Sequence, residues 1–175
     1  MFHILSLQMP EHSDYISPVD FMENLTDPET TIIKREGKYS MQIESGKIFN
    51  FTVSDIPAPI VLEGSWDINF PPGWGAPVNA VFPELISWTA NKDNGIKYFS
   101  GIATYRKEFD FPGDLLTTDN ILYIDLGDVE MIADVYLNNN HLGILWKPPF
   151  RLDITGSIKP GKNNLVVEVA NDWSN

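Results

Sequence analysis

Cysteine is absent from this 175-residue chain, and with it go disulfides, thiolate metal sites and thiol nucleophiles. Histidine occurs only as His3, His12 and His141; no two stand at ligand spacing, so a histidine metal centre lacks its donors. No apolar run approaches the roughly 20 residues of a membrane-spanning helix, and no membrane partner is expected. Met1 to Met9 has neither a basic start nor a small-residue cleavage site, so it does not read as a signal peptide. Bases are scarce too: the net charge is −12, and Glu11, Asp14, Asp20, Glu23, Asp27 and Glu29 precede the first base, Lys34. Such a surface repels a phosphate backbone, which argues against nucleic acid and leaves neutral ligands such as sugars open. Nor does any stretch keep an apolar 3.6-residue period over three turns.

What the chain does contain is alternation. At 43% hydrophobic and 12% aromatic, it can fill one ordinary core. Tyr39, Met41 and Ile43, then Phe49, Phe51 and Val53, alternate with polar residues about Glu44–Lys47, the pattern of a hairpin. Trp66, Ile68 and Phe70 alternate within a strand expected over Ile60–Phe70. Gly101–Phe111 alternates as well, with Ala103, Tyr105, Lys107 and Phe109 against Ile102, Thr104, Arg106 and Glu108. Short strands follow at 121–126, 133–137, 142–146, 150–154 and 165–169. Between 133–137 and 142–146 stand Asn138, Asn139 and Asn140, a turn tolerant of positive φ. The expected fold is all-β, an antiparallel jelly-roll β-sandwich with an irregular N-terminal extension.

The extension is placed at residues 1–55 and the main domain at 56–175, divided by the proline-bearing connector Asp55–Pro59. Pro10, Pro18 and Pro28 keep the first thirty residues irregular, apart from a short helical turn expected near Pro18–Leu25. Pro71, Pro72, Gly73, Gly75, Pro77 and Pro83 make 71–94 a long loop. Loops of more than about 12–15 residues in compact domains are commonly functional, and Trp74, Phe82, Leu85 and Trp88 argue that this one is ordered.

Candidate chemistry is thin. Gly156–Asn163 nearly matches a phosphate-binding loop, but Asn163 stands where a hydroxyl is required and a strand follows in place of a helix, so it reads as a turn. Glu108 and Asp110 lie about 6.5–7 Å apart on one strand face, a glycosidase-like separation that a solvated face produces equally well. Asp125, Asp128 and Glu130 could supply oxygens to a structural calcium ion, yet no calcium-loop pattern accompanies them; no cofactor is otherwise expected. A nucleophile-elbow motif is missing. Trp66 reads as core. Trp74, Trp88 and Trp173, in loops or at a strand end, suit a sugar face as well as a core, because an indole beside Asn or Asp offers stacking and hydrogen bonding together. Trp146 joins them as a candidate.

Tyr105–Phe109, Asp125–Val129, Ala133–Asn138, Gly143, Asp153–Thr155, Gly161–Leu165 and Glu168–Asn171 form a spaced series that resembles the sugar-binding sandwich module of family 2 glycoside hydrolases. Ser87–Thr89, Tyr98–Gly101 and Asn171–Trp173 bring the likeness closer to the C-terminal domain of family 106, the α-L-rhamnosidase-like enzymes. The resemblance spans about residues 56–175. It implies a galactose-binding-like jelly roll, a periplasmic or extracellular setting, carbohydrate as ligand, and catalytic carboxylates in a barrel domain absent from this chain. It also implies that Lys97–Phe99 and Asn171–Trp173 approach a sugar held in that barrel. The expected ligand contacts are therefore Trp74, Trp88, Tyr98, Trp146, Asn171, Asp172 and Trp173, with no catalytic residue or metal ligand. Asn139 departs from the pattern, where a turn glycine is usual. The expected role is a non-catalytic carbohydrate-binding or structural module. The alternatives are a contributor of loop residues to a composite glycosidase site and a plain spacer.

Overall fold

The computed structural model describes residues 3–8, 22–23, 32–33, 36–42, 48–117 and 120–171. The strands are β1 (His3–Gln8), β2 (Met22–Glu23), β3 (Ile32–Ile33), β4 (Gly37–Gln42), β5 (Ile48–Val53), β6 (Ile60–Val61), β7 (Trp66–Asn69) and β8 (Asn79–Phe82). After the helical turn α1 (Asn94–Lys97) come β9 (Gly101–Phe111), β10 (Asn120–Asp125), β11 (Ile132–Leu137), β12 (Asn140–Leu145), β13 (Arg151–Asp153) and β14 (Gly161–Asn171). One sheet runs β13-β10-β1-β3-β2, with β6 also paired to β1. The other runs β12-β11-β14-β9-β7-β8, and β4 pairs only with β5. Every pairing is antiparallel, so the expected all-β sandwich is the fold observed.

Period-two alternation decides which way each strand faces. On β9, Ala103, Tyr105, Lys107 and Phe111 are buried, while Ile102, Arg106, Glu108 and Asp110 are exposed. Leu165 and Val167 of β14 and Val135 and Leu137 of β11 turn the same way. They meet Leu122 and Ile124 of the opposing sheet, with Leu126 and Ile154, in one buried cluster. Each large aliphatic side chain so removed from water contributes about 1.5–3 kcal/mol. The outward positions are where ligands or other surfaces can be met.

Four expectations are corrected. His3–Gln8, assigned to the irregular extension, is a strand that pairs with β10 from His3↔Asp125 to Gln8↔Asn120 and with β6 at its start. The pairing crosses the boundary placed near residue 55. Met22–Glu23, inside the stretch where a helical turn is expected, is strand. The expected single strand over Ile60–Phe70 breaks between β6 and β7, where Gly64 takes a φ of 84° that side-chain-bearing residues rarely adopt. Lys107 secures the break from inside: its Nζ donates to the carbonyls of Glu63 (2.5 Å) and Ser65 (2.8 Å) and lies 5.5 Å from the centre of the Trp66 ring. Finally, the loop 71–94 contains β8, a four-residue edge strand on β7 that fits between Pro77 and Pro83. Prolines at its flanks rather than within it leave the ladder intact.

The end of the sandwich that carries the β11–β12 turn is closed by amides. Asn138 and Asn139 hold φ values of 52° and 69°, and Leu137 pairs with Asn140 across them. A two-residue turn with both φ positive matches the twist of its strands, and asparagine tolerates this region better than other side-chain-bearing residues. That is why Asn139 can stand where glycine is usual. Asn138 Nδ2 donates to Ser157 O (2.8 Å) and Asn163 Oδ1 (2.7 Å), and its Oδ1 accepts from Asn164 N (3.0 Å). Asn163, 2% exposed, donates to the carbonyls of Lys159 (2.7 Å) and Gly161 (2.8 Å) and accepts from Lys159 N (3.0 Å). The near-phosphate-loop sequence is thus a turn whose asparagine is a buried crosslink. Other polar positions of the spaced series work similarly: Asp125 binds Arg151 Nε (2.6 Å) and Gly127 N (2.8 Å), and Thr155 Oγ1 accepts from Leu122 N (2.9 Å).

Candidate functional site

The opposite end of the sandwich is built differently. There Gly101 at the start of β9 pairs with Asn171 at the finish of β14, and the 71–100 segment folds over it. Asp93 caps α1, its Oδ1 accepting from Gly95 N (2.7 Å) and Ile96 N (3.4 Å), as an N-cap aspartate does. A Cβ on Gly95 would lie 2.2 Å from the Gly75 carbonyl oxygen, so only glycine allows the Trp74 turn to close on α1. The Trp74 ring reaches to within 3.4 Å of where a Gly101 Cβ would stand.

Trp74 and Tyr98 are 64% and 58% exposed, on either side of the Gly75–Gly95 contact in the chain, and Asn171 beside them is half-buried. Trp74, through its approach to Gly101, and Asn171, through its pairing with Gly101, share this end, and Tyr98 precedes Gly101 by three residues. Trp146 is 67% exposed, but it follows β12, two strands across from β9. Lys147 Nζ lies 5.1 Å from its ring centre, and Lys97 Nζ lies 5.5 Å from that of Tyr98. Asp172 and Trp173 lie outside the described residues.

Trp88 requires a correction. It is buried, and its Nε1 donates to the hydroxyl of Tyr105. Its ring packs edge-on to Phe70 (5.8 Å) and Phe99 (5.5 Å), which themselves pack at 4.9 Å. An indole with its polar atom satisfied inside an aromatic cluster is an anchor; it fastens the loop and presents no face to a ligand. Burial pushes the Tyr105 hydroxyl up to about 12, the Trp88 hydrogen bond acting in the other direction. Burial likewise lowers the Lys107 ammonium, against the charge of Asp67.

Glu108 and Asp110 face outward and exposed. Asp125, the first of the three possible calcium donors, is taken by Arg151 and Gly127. Among the described residues no group of three or more His, Asp or Glu could hold a metal ion. The outer sheet face carries two polar features absent from the expected contacts. Asp134 receives the Tyr136 hydroxyl (3.0 Å) and lies 2.7 Å from His141 Nε2; the hydrogen bond to Asp134 raises the Tyr136 hydroxyl, with burial and the charges of Asp134 and Glu168 adding to it. Their legible signal is the Asp134/Tyr136 spacing, but the Tyr136↔His141 pairing depends on a register bulge. A shallow depression over β7–β9 is lined by Asp67, Asn69, Asn79, Val81 and Arg106, where Asn69 Nδ2 donates to Asn79 Oδ1 (2.6 Å).

Comparison with known proteins agrees with this architecture. The family described as glycosyl hydrolase 2 galactose-binding domain-like matches residues 87–175. A protein of Formosa agariphila named as a candidate β-glucuronidase is 46% identical over 152 residues, covering 86% of this chain and 13% of its own length; the chain therefore spans a small part of the curated relatives it matches. Among solved structures, a rhamnosidase from Novosphingobium sp. PP1Y aligns over 98% of this chain and 16% of its own, with a TM-score of 0.61 at 24% identity. A β-glucuronidase from Ruminococcus gnavus aligns over 63% of this chain and 20% of its own, with a TM-score of 0.53 at 26% identity. This chain belongs to the galactose-binding-like domain family of the family 2 glycoside hydrolases.

Proposed function

We propose that the chain serves as a non-catalytic accessory module of a secreted or periplasmic glycoside hydrolase, and that carbohydrate meets it at the Trp74–Tyr98–Asn171 end. The observation carrying this reading is a pair of aromatic side chains more than half exposed beside a half-buried asparagine, at the one end of the sandwich that amides do not close. Aromatic planes stack on the apolar face of a pyranose, and an amide supplies donors and acceptors to its hydroxyls. Asp172 and Trp173 belong to the same proposed contact.

Titration of the 175-residue protein with methyl β-D-glucuronide and methyl α-L-rhamnoside, followed by tryptophan fluorescence, tests the reading. A saturable change lost in Trp74→Ala supports it; a flat response to both glycosides rejects sugar binding by the isolated module and leaves the spacer role.

A second reading is favoured by the 13% share of the Formosa agariphila relative that this chain covers: the same end completes a site whose catalytic carboxylates lie in a barrel domain elsewhere in the polypeptide. In the intact enzyme Tyr98→Ala would then lower kcat/KM, and unchanged kinetics would count against it.

A further inference from the structure

A second exposed apolar region lies on the outer face of the β9–β14–β11–β12 sheet. Ile102 pairs with Ala170, and Ala170 pairs with Ile132. The Ala133↔Leu145 pairing brings the next residue, Trp146, alongside Ile132. Ile144, two residues before Trp146, faces the same way. These side chains are far from buried: 53% for Ile102, 39% for Ile132, 57% for Ile144 and 67% for Trp146, with Met131 beside them at 41%. Register, not sequence proximity, gathers Ile102, Ala170, Ile132 and Trp146 into one row, with Ile144, which pairs with Asp134, at the edge of the next. Asp134 and Glu168, paired with each other, begin the next row, so Ile102, Ala170, Ile132 and Trp146 carry no charge and no hydroxyl or amide side chain between them. A sugar would find little there to bind its hydroxyls beyond the Trp146 indole N–H and the neighbouring Lys147.

An antiparallel sheet with an apolar outer row is a sheet meant to be covered on both faces. Candidates for the cover differ in charge and in tethering. A second copy of a chain with a net charge of −12 brings repulsion that Lys147, over the Trp146 ring, offsets only in small part; an anionic membrane meets the same obstacle. A neighbouring domain of the same polypeptide does not have to be captured from solution, because linkage supplies a high effective concentration. In the Formosa agariphila relative and the Novosphingobium rhamnosidase, the matched unit is 13% and 16% of the chain, so most of those polypeptides lies outside it. β14, the inner strand of the row, carries the chain to Asn171 directly beside Ile102 and Ile132.

We propose that the Ile102–Ala170–Ile132–Trp146 row, with Ile144 and Met131, is the seat of another domain of the same glycoside hydrolase polypeptide. The inference rests on the module reading above and moves Trp146 from ligand contact to interdomain contact.

Hydroxyl-radical footprinting of the 175-residue protein and of the full-length enzyme that carries it tests the seat. Trp146 and Met131 should label roughly fivefold or more slowly in the full-length enzyme, as expected for side chains at the water-excluding centre of an interface, while Trp74 labelling stays within twofold. The double variant Ile132→Lys/Ile144→Lys should restore fast labelling in the full-length enzyme and leave the melting temperature of the 175-residue protein unchanged. Equal labelling of Trp146 in the two proteins overturns the proposal. So does a dimer of the 175-residue protein in sedimentation equilibrium with Trp146 protected, which would assign the row to a second copy. A flat sugar titration leaves this footprint untouched, so the two readings fail separately.

Discussion

The two ends of the sandwich solve opposite problems with similar numbers of residues. At the β11–β12 turn, Asn138 and Asn163 bind backbone groups of the 157–164 stretch, and each other, at 2.7–3.0 Å, and Asn163 is almost wholly buried. At the other end Trp88 and Phe99 seal the core from below while Trp74 and Tyr98 stand in solvent. The amides at the first end are spent on backbone and on each other; the aromatic planes at the second keep more than half of their surface exposed. Spaced polar residues can thus be a signature of closure, and the residues open to a ligand carry the weaker sequence signal.

The comparison is broken most severely by Asn163→Leu. It strands the Lys159 and Gly161 carbonyls and the Asn138 amide in a buried site, and an expected loss of about 3 kcal/mol should appear in urea denaturation with sugar contacts at the far end unaltered. The next effect is a pH dependence from the sealed layer under the open end. Tyr105 ionises at about 12 in the folded chain against 10.0, so its contribution is present below pH 10 and is lost between pH 10 and 12. That loss is at most about 2–3 kcal/mol, and Tyr105→Phe should abolish it in alkaline unfolding curves. Lys107 moves oppositely: burial lowers its ammonium from 10.5, so the cost of holding it charged is relieved as pH rises toward 10.5. Asn139 gives a smaller effect. At a φ of 69°, Asn139→Val should cost about 1–2 kcal/mol by thermal melting, whereas Asn139→Gly should change stability little or raise it. Smallest of all, Trp74→Ala should shift stability by no more than about 0.5 kcal/mol; a larger loss would mean that the open end is also structural.

Alternation made β9 legible to its bounds and oriented it correctly, Lys107 included, because period two requires only neighbours in sequence. It did not reveal that the Lys107 ammonium is satisfied by carbonyls of the β6–β7 break, since those partners are set by tertiary approach. β8 is four residues between prolines, too short to outweigh the loop signal around it. Trp88 and Trp74 look alike in sequence, both in a proline-rich segment; only the position of Tyr105 across the fold sends one inside. β1 could not be placed because its partner strand is distant in sequence, and His3–Gln8 alone shows no sustained alternation. The turn at Asn138–Asn139 needed no distant information, as its φ requirement is local.

That distant partnership sets an order of events. β1 pairs along its whole length with β10, His3 against Asp125, and the chain between them must already exist before the pair can close. Emerging from a ribosome, β1 has to wait, unpaired on that side, until β10 has been made. Contacts so remote in sequence are slow to form, so the six-stranded sheet containing β1 should be completed late, after the β9–β14–β11–β12 half, whose hairpin closes on its own turn. A pulse-labelled hydrogen-exchange experiment during refolding would see β11 and β12 protected before β1.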